Sequence, residues 1–160
     1  VKIDDRDVAN LPLIPLSFHA PPDLGGFKEV NDSLGHHAGD LVLREVATRL
    51  THSVRQTDTV ARLGGGELIV LLPDLHHAAE AESVAAKIVA AISKPIDVKG
   101  TQVHISVSVG VCTSPEHGND AEKLMRCVDA AMYQAKANGR NRYQVYHYAM
   151  QATWVSHSHD

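Results

Sequence analysis

The sequence predicts an α+β domain, with helices packed on a mostly antiparallel sheet in a βαββαβ order. Three observations carry that expectation. Two apolar runs, residues 59–63 and 68–72, flank Gly64, Gly65 and Gly66, the layout of strand, tight turn and strand. Val103, Ile105, Val107, Val109 and Val111 alternate with His104, Ser106, Ser108 and Gly110, the period of a strand with one buried face. Elsewhere, apolar residues recur at three- and four-residue steps, the period of helices with one buried stripe.

In chain order, residues 27–34 read as a short helical stretch ending at Gly35. Gly39 and Asp40 open a strong helix, with Leu41, Leu43, Val46, Ala47, Leu50 and Val54 as its expected inward positions. The glycine hairpin follows. Residues 77–93 form a second helix that turns Ala81, Val84, Ala85, Ile88, Val89 and Ile92 inward. Residues 96–98 and 103–111 are a strand pair around the turn Lys99-Gly100. A third helix spans 120–137 and closes at Asn138-Gly139, a C-terminal signal because these residues tolerate the left-handed conformation. Residues 143–146 form a last short strand. The helices are expected on one face of the sheet.

One strand is missing at the front. Residues 11–22 stand in its place and are apolar, but they contain Pro12, Pro15, Pro21 and Pro22. Proline cannot donate to a ladder, so a central strand there is compromised, and the first 22 residues read as extended, partly loose chain. The expected organisation is therefore a poorly patterned segment 1–22, a domain over 23–148 and a tail over 149–160. His157 and His159 in the tail read as a frayed polar end rather than a metal site.

Composition narrows the function. The chain has 160 residues, 44% apolar and 21% charged, enough for one domain with its own core. A net charge of −4 argues against a general nucleic-acid binder but leaves room for a nucleotide held by a few placed cations. Cys112 and Cys127 fit free thiols in a reducing compartment. No apolar run approaches the roughly 20 residues that span a bilayer, and no leader pattern is visible. A cytoplasmic protein, or the cytoplasmic part of a larger one, is expected.

The chemistry centres on the hairpin. A glycine turn lets a phosphate approach the backbone, and Glu67 beside it can hold a metal. Taken alone, Gly64-Gly65-Gly66-Glu67-Leu68 reads first as a plain turn with Glu67 a solvated side chain. Its company changes the reading. Residues 23–32 (Asp-Leu-Gly-Gly-Phe-Lys-Glu-Val-Asn-Asp), 35–40 (Gly-His-His-Ala-Gly-Asp), 62–68, 108–111 and 129–141 resemble, in order, the motifs of the GGDEF domains of diguanylate cyclases. The resemblance covers residues 23 to about 146.

That resemblance implies a ferredoxin-like βαββαβ palm of nucleotide-cyclase type, and a reaction that joins two GTP molecules into cyclic di-GMP. Each of two domains in a homodimer holds one GTP, and the 3′-hydroxyl of one attacks the α-phosphate of the other. It implies Mg²⁺, or Mn²⁺ in its place, held by Asp23 and Glu67, with Glu67 also the remaining catalytic carboxylate. Asn31 and Asp40 resemble the guanine readers; a carboxylate accepts from guanine N1–H and N2–H₂. Helix capping is a compatible role for Asp40. Lys28, Lys136 and Arg140 resemble the triphosphate contacts, although any one of them alone would pass for surface charge. Gly64 and Gly65 resemble the phosphate-side turn. Phe27 resembles part of the substrate site and could equally be core. Arg55 and Asp58 match an RxxD that many family members carry five residues before the glycine turn, where it binds product as an inhibitory site; a helix-end ion pair is the plain alternative.

Three positions depart from the family pattern. Gly66 stands where an Asp or Glu is a metal ligand and catalytic carboxylate, Gly25 stands in a usually acidic place, and Leu68 replaces Phe. The expectation is a domain that binds GTP or cyclic di-GMP with weak or lost synthesis. The alternatives are an active cyclase and a non-binding scaffold. Sensor or phosphodiesterase domains are expected outside the chain.

Overall fold

The computed structural model describes residues 13–19, 37–64, 67–73, 78–113, 120–147 and 150. Among them are the helices α1 (Ala38–Ser53), α2 (Ala78–Ile92) and α3 (Ala121–Ala137). The strands are β1 (Leu13–His19), β2 (Thr59–Gly64), β3 (Glu67–Leu71), β4 (Ile96–Val98), β5 (Thr101–Val103), β6 (Ser106–Val111) and β7 (Arg142–Val145). Five strands form one sheet in the order β2-β3-β1-β6-β7, and β4 and β5 form a separate hairpin. Every neighbouring pair is antiparallel except β6 and β7. The expected α+β, mostly antiparallel architecture is therefore present. The stretch expected as a helix over 27–34 lies outside the described residues.

The proline-bearing front segment is a correction. Residues 13–19 form the central strand of the sheet, between β3 and β6. Only Pro15 falls within it. Pro15 lies opposite Ile69 of β3, while the ladder to β6 begins one residue later, at Leu16 opposite Val109. The strand thus has an open edge on the β6 side at its start, the kind of position where a missing N–H is tolerated. The sheet reaches into the segment that the sequence placed before the domain.

The single strand expected over 103–111 is a second correction. Val103 ends the small hairpin and Ser106 begins a strand of the large sheet, so the alternation runs through a break at His104-Ile105. Nor is β6 buried on one face only, since all of its residues after Ser106 are buried. Val107, Val109 and Val111 join the core formed with α1 and α2, which includes Val42, Val46 and Leu50 of α1 and Ala85, Ile88 and Ile92 of α2. On the other face, Ile69 and Leu71 pack with Leu124, Cys127, Val128 and Ala131 of α3. Helices therefore cover both faces. Gly110 is the point of closest approach: a Cβ there would lie 2.8 Å from the Met132 nitrogen and 3.0 Å from the Val128 oxygen.

The stripe of α1 also differs from expectation. Its buried apolar side chains are Ala38, Val42, Val46 and Leu50, four residues apart, with Gly39 and Ser53 also buried. Leu41 is 37% exposed, and Leu43 and Ala47 lie beside a cleft. The inward set of α2 is as read, with Ala81, Ala85, Ile88 and Ile92 fully buried and Val84 and Val89 at the margin. Each such buried Ile or Leu contributes about 1.5–3 kcal/mol relative to exposure.

Local chemistry ends the elements. Asp120 caps α3 by accepting from the Lys123 N–H at 2.8 Å. At the other end, the Gly139 N–H donates to Lys136 O and the Arg140 N–H to Ala135 O, with Gly139 at φ 115°. That is a Schellman closure. Lys99 and Gly100, at φ 53° and 85°, form the expected two-residue turn between β4 and β5. Among the described residues no helix is long and apolar enough to cross a membrane.

Candidate functional site

The sheet registers bring several chain ends to one edge of the fold. Glu67, the first residue of β3, lies opposite Ser17 near the end of β1. Ser17 lies opposite Ser108 near the start of β6, and Ser108 lies beside Arg142, the first residue of β7. The row Glu67–Ser17–Ser108–Arg142 therefore crosses four strands at one end. The turn after Gly64 belongs to this end, as does the exit of β1 four residues before Asp23. The corner carrying Lys136 and Arg140, which leads from α3 into β7, belongs to it too. The ladder between β2 and β3 shifts register between Arg62 and Gly64, a bulge immediately before the turn.

Asp40 is the third residue of α1, it is 69% exposed, and its Oδ2 lies 3.6 Å from Nδ1 of His37. The helix cap is His37, not Asp40; His37 adopts φ 77° and makes no side-chain cap hydrogen bond. The capping role weighed for Asp40 is thereby replaced by an exposed carboxylate in the first turn. Asp40 lines a cleft of about 430 Å³ together with Leu43, Arg44, Ala47, Val60 and Leu68. A cleft of that size with mostly apolar walls and few polar groups is the usual form of a small-molecule site.

Arg55 and Asp58 lie at the far end of β2, beyond Thr59, which pairs with Leu71. Five residues of strand, 59–63, separate them from Gly64, roughly 17 Å at 3.4 Å per residue. Asp58 Oδ2 accepts from the Arg55 backbone N–H at 2.7 Å and lies 3.6 Å from Arg55 Nε. The local ion pair considered for this motif is thus present. Yet the Asp58 side chain is 1% exposed, and its Oδ1 is buried with no hydrogen-bond partner among the described residues. The guanidinium is 52% exposed. Two clefts meet at this pair, one of about 400 Å³ toward Thr51, Gln56 and Val60, the other of about 290 Å³ toward Glu80, Ser83 and Lys87.

Asp23, Phe27, Lys28, Asn31 and Gly65 lie outside the described residues, and Gly64 and Glu67 are placed by their backbones. Among the described residues, no group of three or more His, Cys, Asp or Glu side chains converges for a metal. Two residues escaped the sequence reading. Arg44 shares the cleft with Asp40, one helical turn away; their i, i+4 spacing was the available signal. Arg49 donates to Ala91 O, Lys94 O and Pro95 O at 3.0, 2.7 and 2.8 Å, tying α1 to the end of α2. Nothing local in the sequence marks that role.

Comparison with known proteins agrees with this arrangement. Residues 22–142 match the family model for the diguanylate cyclase GGDEF domain. The chain is 46% identical over 130 residues to the bifunctional diguanylate cyclase/cyclic di-GMP phosphodiesterase MucR of Pseudomonas aeruginosa, aligning 81% of this chain with 19% of that protein. It is 38% identical over 124 residues to the cyclic di-GMP phosphodiesterase PdeR of Escherichia coli, 78% of this chain and 16% of that protein. The chain thus spans less than a fifth of either relative. Among solved structures, the GGDEF domain of YfiN (TpbB) from Pseudomonas aeruginosa superposes with a TM-score of 0.77 at 37% identity, covering 86% of this chain and 82% of that one. The active GGEEF domain of a Vibrio cholerae diguanylate cyclase gives 0.65 at 29% identity, covering 85% and 83%. The chain belongs to the GGDEF domain family of diguanylate cyclases.

Proposed function

We propose that this GGDEF domain binds GTP and cyclic di-GMP as a signalling module and synthesises little or no cyclic di-GMP. The observation that carries the reading is the edge where β1, the glycine turn and the end of α3 meet beside the Asp40 cleft, combined with a glycine at residue 66. The cleft supports guanine recognition by Asp40, with Asn31 as its partner reader. Lys28, Lys136 and Arg140 would neutralise the triphosphate, with Gly64 and Gly65 giving its oxygens access to the backbone.

The residues fit a divalent ion only in part. Glu67 begins the strand next to β1, and Asp23 follows the end of β1 by four residues in the sequence, so these are the two carboxylates available. Residue 66 has no side chain to add. Mg²⁺, or Mn²⁺ in its place, would neutralise charge on the phosphates during transfer between two facing domains. Losing one carboxylate of such a set costs at least ~10²-fold in rate. Arg55 and Asp58 are assigned to product binding: the forked guanidinium suits guanine O6 and N7, and the buried, unpartnered Asp58 oxygen suits an N–H donor.

The relatives bear both cyclase and phosphodiesterase names, so likeness alone does not decide activity. An active cyclase is the second reading, favoured by the likeness to the active Vibrio cholerae domain. Of the prolines that motivated a non-binding scaffold, Pro15 is accommodated within β1, which weighs against that third reading. Incubation with GTP and Mg²⁺ or Mn²⁺, read by chromatography beside calorimetry with both nucleotides, separates the three readings. Binding without product, with product restored in Gly66→Asp alone or with Gly25→Asp, is the expected result. Robust product from the unmodified chain would establish the second reading, and a folded protein that binds neither nucleotide would establish the third.

A further inference from the structure

The Asp40 cleft has a second polar wall that the assignments above leave unused. Arg44 lines it one helical turn from Asp40, and its guanidinium is exposed. Aspartate and arginine at i and i+4 are placed to pair with each other. Here Asp40 lies against His37 instead, and no hydrogen bond or ion pair holds the Arg44 guanidinium among the described residues. The Arg44 carbonyl accepts from Thr48 Oγ1 at 3.0 Å. The remaining walls, Leu43, Ala47, Val60 and Leu68, are apolar and suit the flat faces of a purine.

Resting on the reading of this cleft as the guanine site, we propose that Arg44 is a specificity residue that donates to guanine O6 and N7 while Asp40 accepts from N1–H and N2–H₂. The two side chains start roughly 6 Å apart along one helix face, at 1.5 Å per residue. A purine placed between them offers acceptors on one polar edge and donors on another. An arginine fork matches the O6/N7 pair, and a carboxylate cannot serve it. Adenine would present an amino donor at position 6 to the guanidinium and lose that contact.

The test uses equilibrium binding of GTP, 7-deaza-GTP (no N7 acceptor) and ITP (no 2-amino donor) to the wild-type chain and to Arg44→Ala, Arg44→Lys and Asp40→Ala. Arg44→Ala is expected to bind GTP about tenfold more weakly and to lose the wild type's roughly tenfold preference for GTP over 7-deaza-GTP, while still preferring GTP to ITP. Asp40→Ala should show the converse pattern, and Arg44→Lys should recover only part of the N7 preference because an ammonium cannot fork. Because Arg44 is exposed, thermal melts of its variants should overlay the wild type, which separates a binding defect from a folding defect. Unchanged GTP affinity in Arg44→Ala, or an undiminished N7 preference, overturns the assignment of Arg44 while leaving the guanine site standing. Failure of the wild type to bind GTP removes the site itself and this residue's role with it.

Discussion

Gly110→Ala tests how closely α3 sits on the sheet. An added Cβ would lie 2.8 Å from the Met132 nitrogen, 2.9 Å from Ala131 Cβ and 3.0 Å from the Val128 oxygen. Carbon contacts are comfortable near 3.5–4.0 Å, so the helix must retreat by about 0.7–1 Å. None of the three atoms can rotate aside, since two are backbone and the third is a Cβ. Overpacking of this kind costs about 1–3 kcal/mol. Removing a glycine from the unfolded chain returns about 0.4–1 kcal/mol. The net loss is about 0–2.6 kcal/mol, which for a domain of this size lowers Tm by up to about 10 °C. Thermal and urea melts followed by circular dichroism measure it. Since α3 carries Lys136 and ends at the Arg140 corner, GTP binding should weaken as well, whereas cyclic di-GMP binding at the distant Arg55–Asp58 pair should not. Gly100→Ala is the control: nothing lies within 4 Å of its Cβ, and its cost, about 1 kcal/mol, comes only from φ 85°. A Gly110→Ala variant that melts above the wild-type temperature would contradict the close contact between β6 and α3.

Two further predictions concern stability and the thiols. Arg49→Ala strips the donors from three carbonyls at the end of α2 and should cost about 2–3 kcal/mol in urea denaturation. Arg49→Lys should recover less than half of that, and a loss below about 0.5 kcal/mol for the alanine variant would show the network to be idle. Burial, with Cys127 and Asp129 adding to it, pushes the Cys112 thiol far above its usual 9.0. Burial also raises Cys127, opposed by a hydrogen bond with Tyr146 and the charge of Arg126. The folded state therefore favours the neutral thiols. Their contribution to stability is complete below about pH 9 and declines as pH rises from there toward the folded-state values, because the unfolded thiols ionise first. Native protein at pH 8 should resist a disulfide reagent until denaturant is added, and Cys112→Ala should flatten the alkaline decline; prompt labelling of the native chain would contradict the burial.

Much of the candidate site could be read from short motifs, each of which names a local geometry. Arg55 and Asp58 form a turn that their own spacing permits, with the carboxylate on the Arg55 N–H. Asn138-Gly139 closes α3 as glycine allows, which sets the backbone between Lys136 and Arg140. Asp40 was found by its motif, but its freedom from capping was not, because the cap fell to His37, and histidine is not among the residues preferred at that position. Arg44 and Arg49 look alike as charged positions on α1. One reaches carbonyls more than 40 residues away, and the other borders a cleft.

The sequence by itself determined the three described helices, the pairing across the glycine hairpin, the Lys99-Gly100 turn and the family, because periodicity and turn chemistry act between residues close in the chain. The tertiary structure alone decided that a strand containing Pro15 lies at the centre of the sheet, that the alternation of 103–111 is divided between two sheets, and that helices cover both faces. Those outcomes depend on which distant strand offers a partner and where its ladder begins. A proline loses one donor on one side only, and whether that donor was needed is set by a neighbour nearly 100 residues away, at Val109.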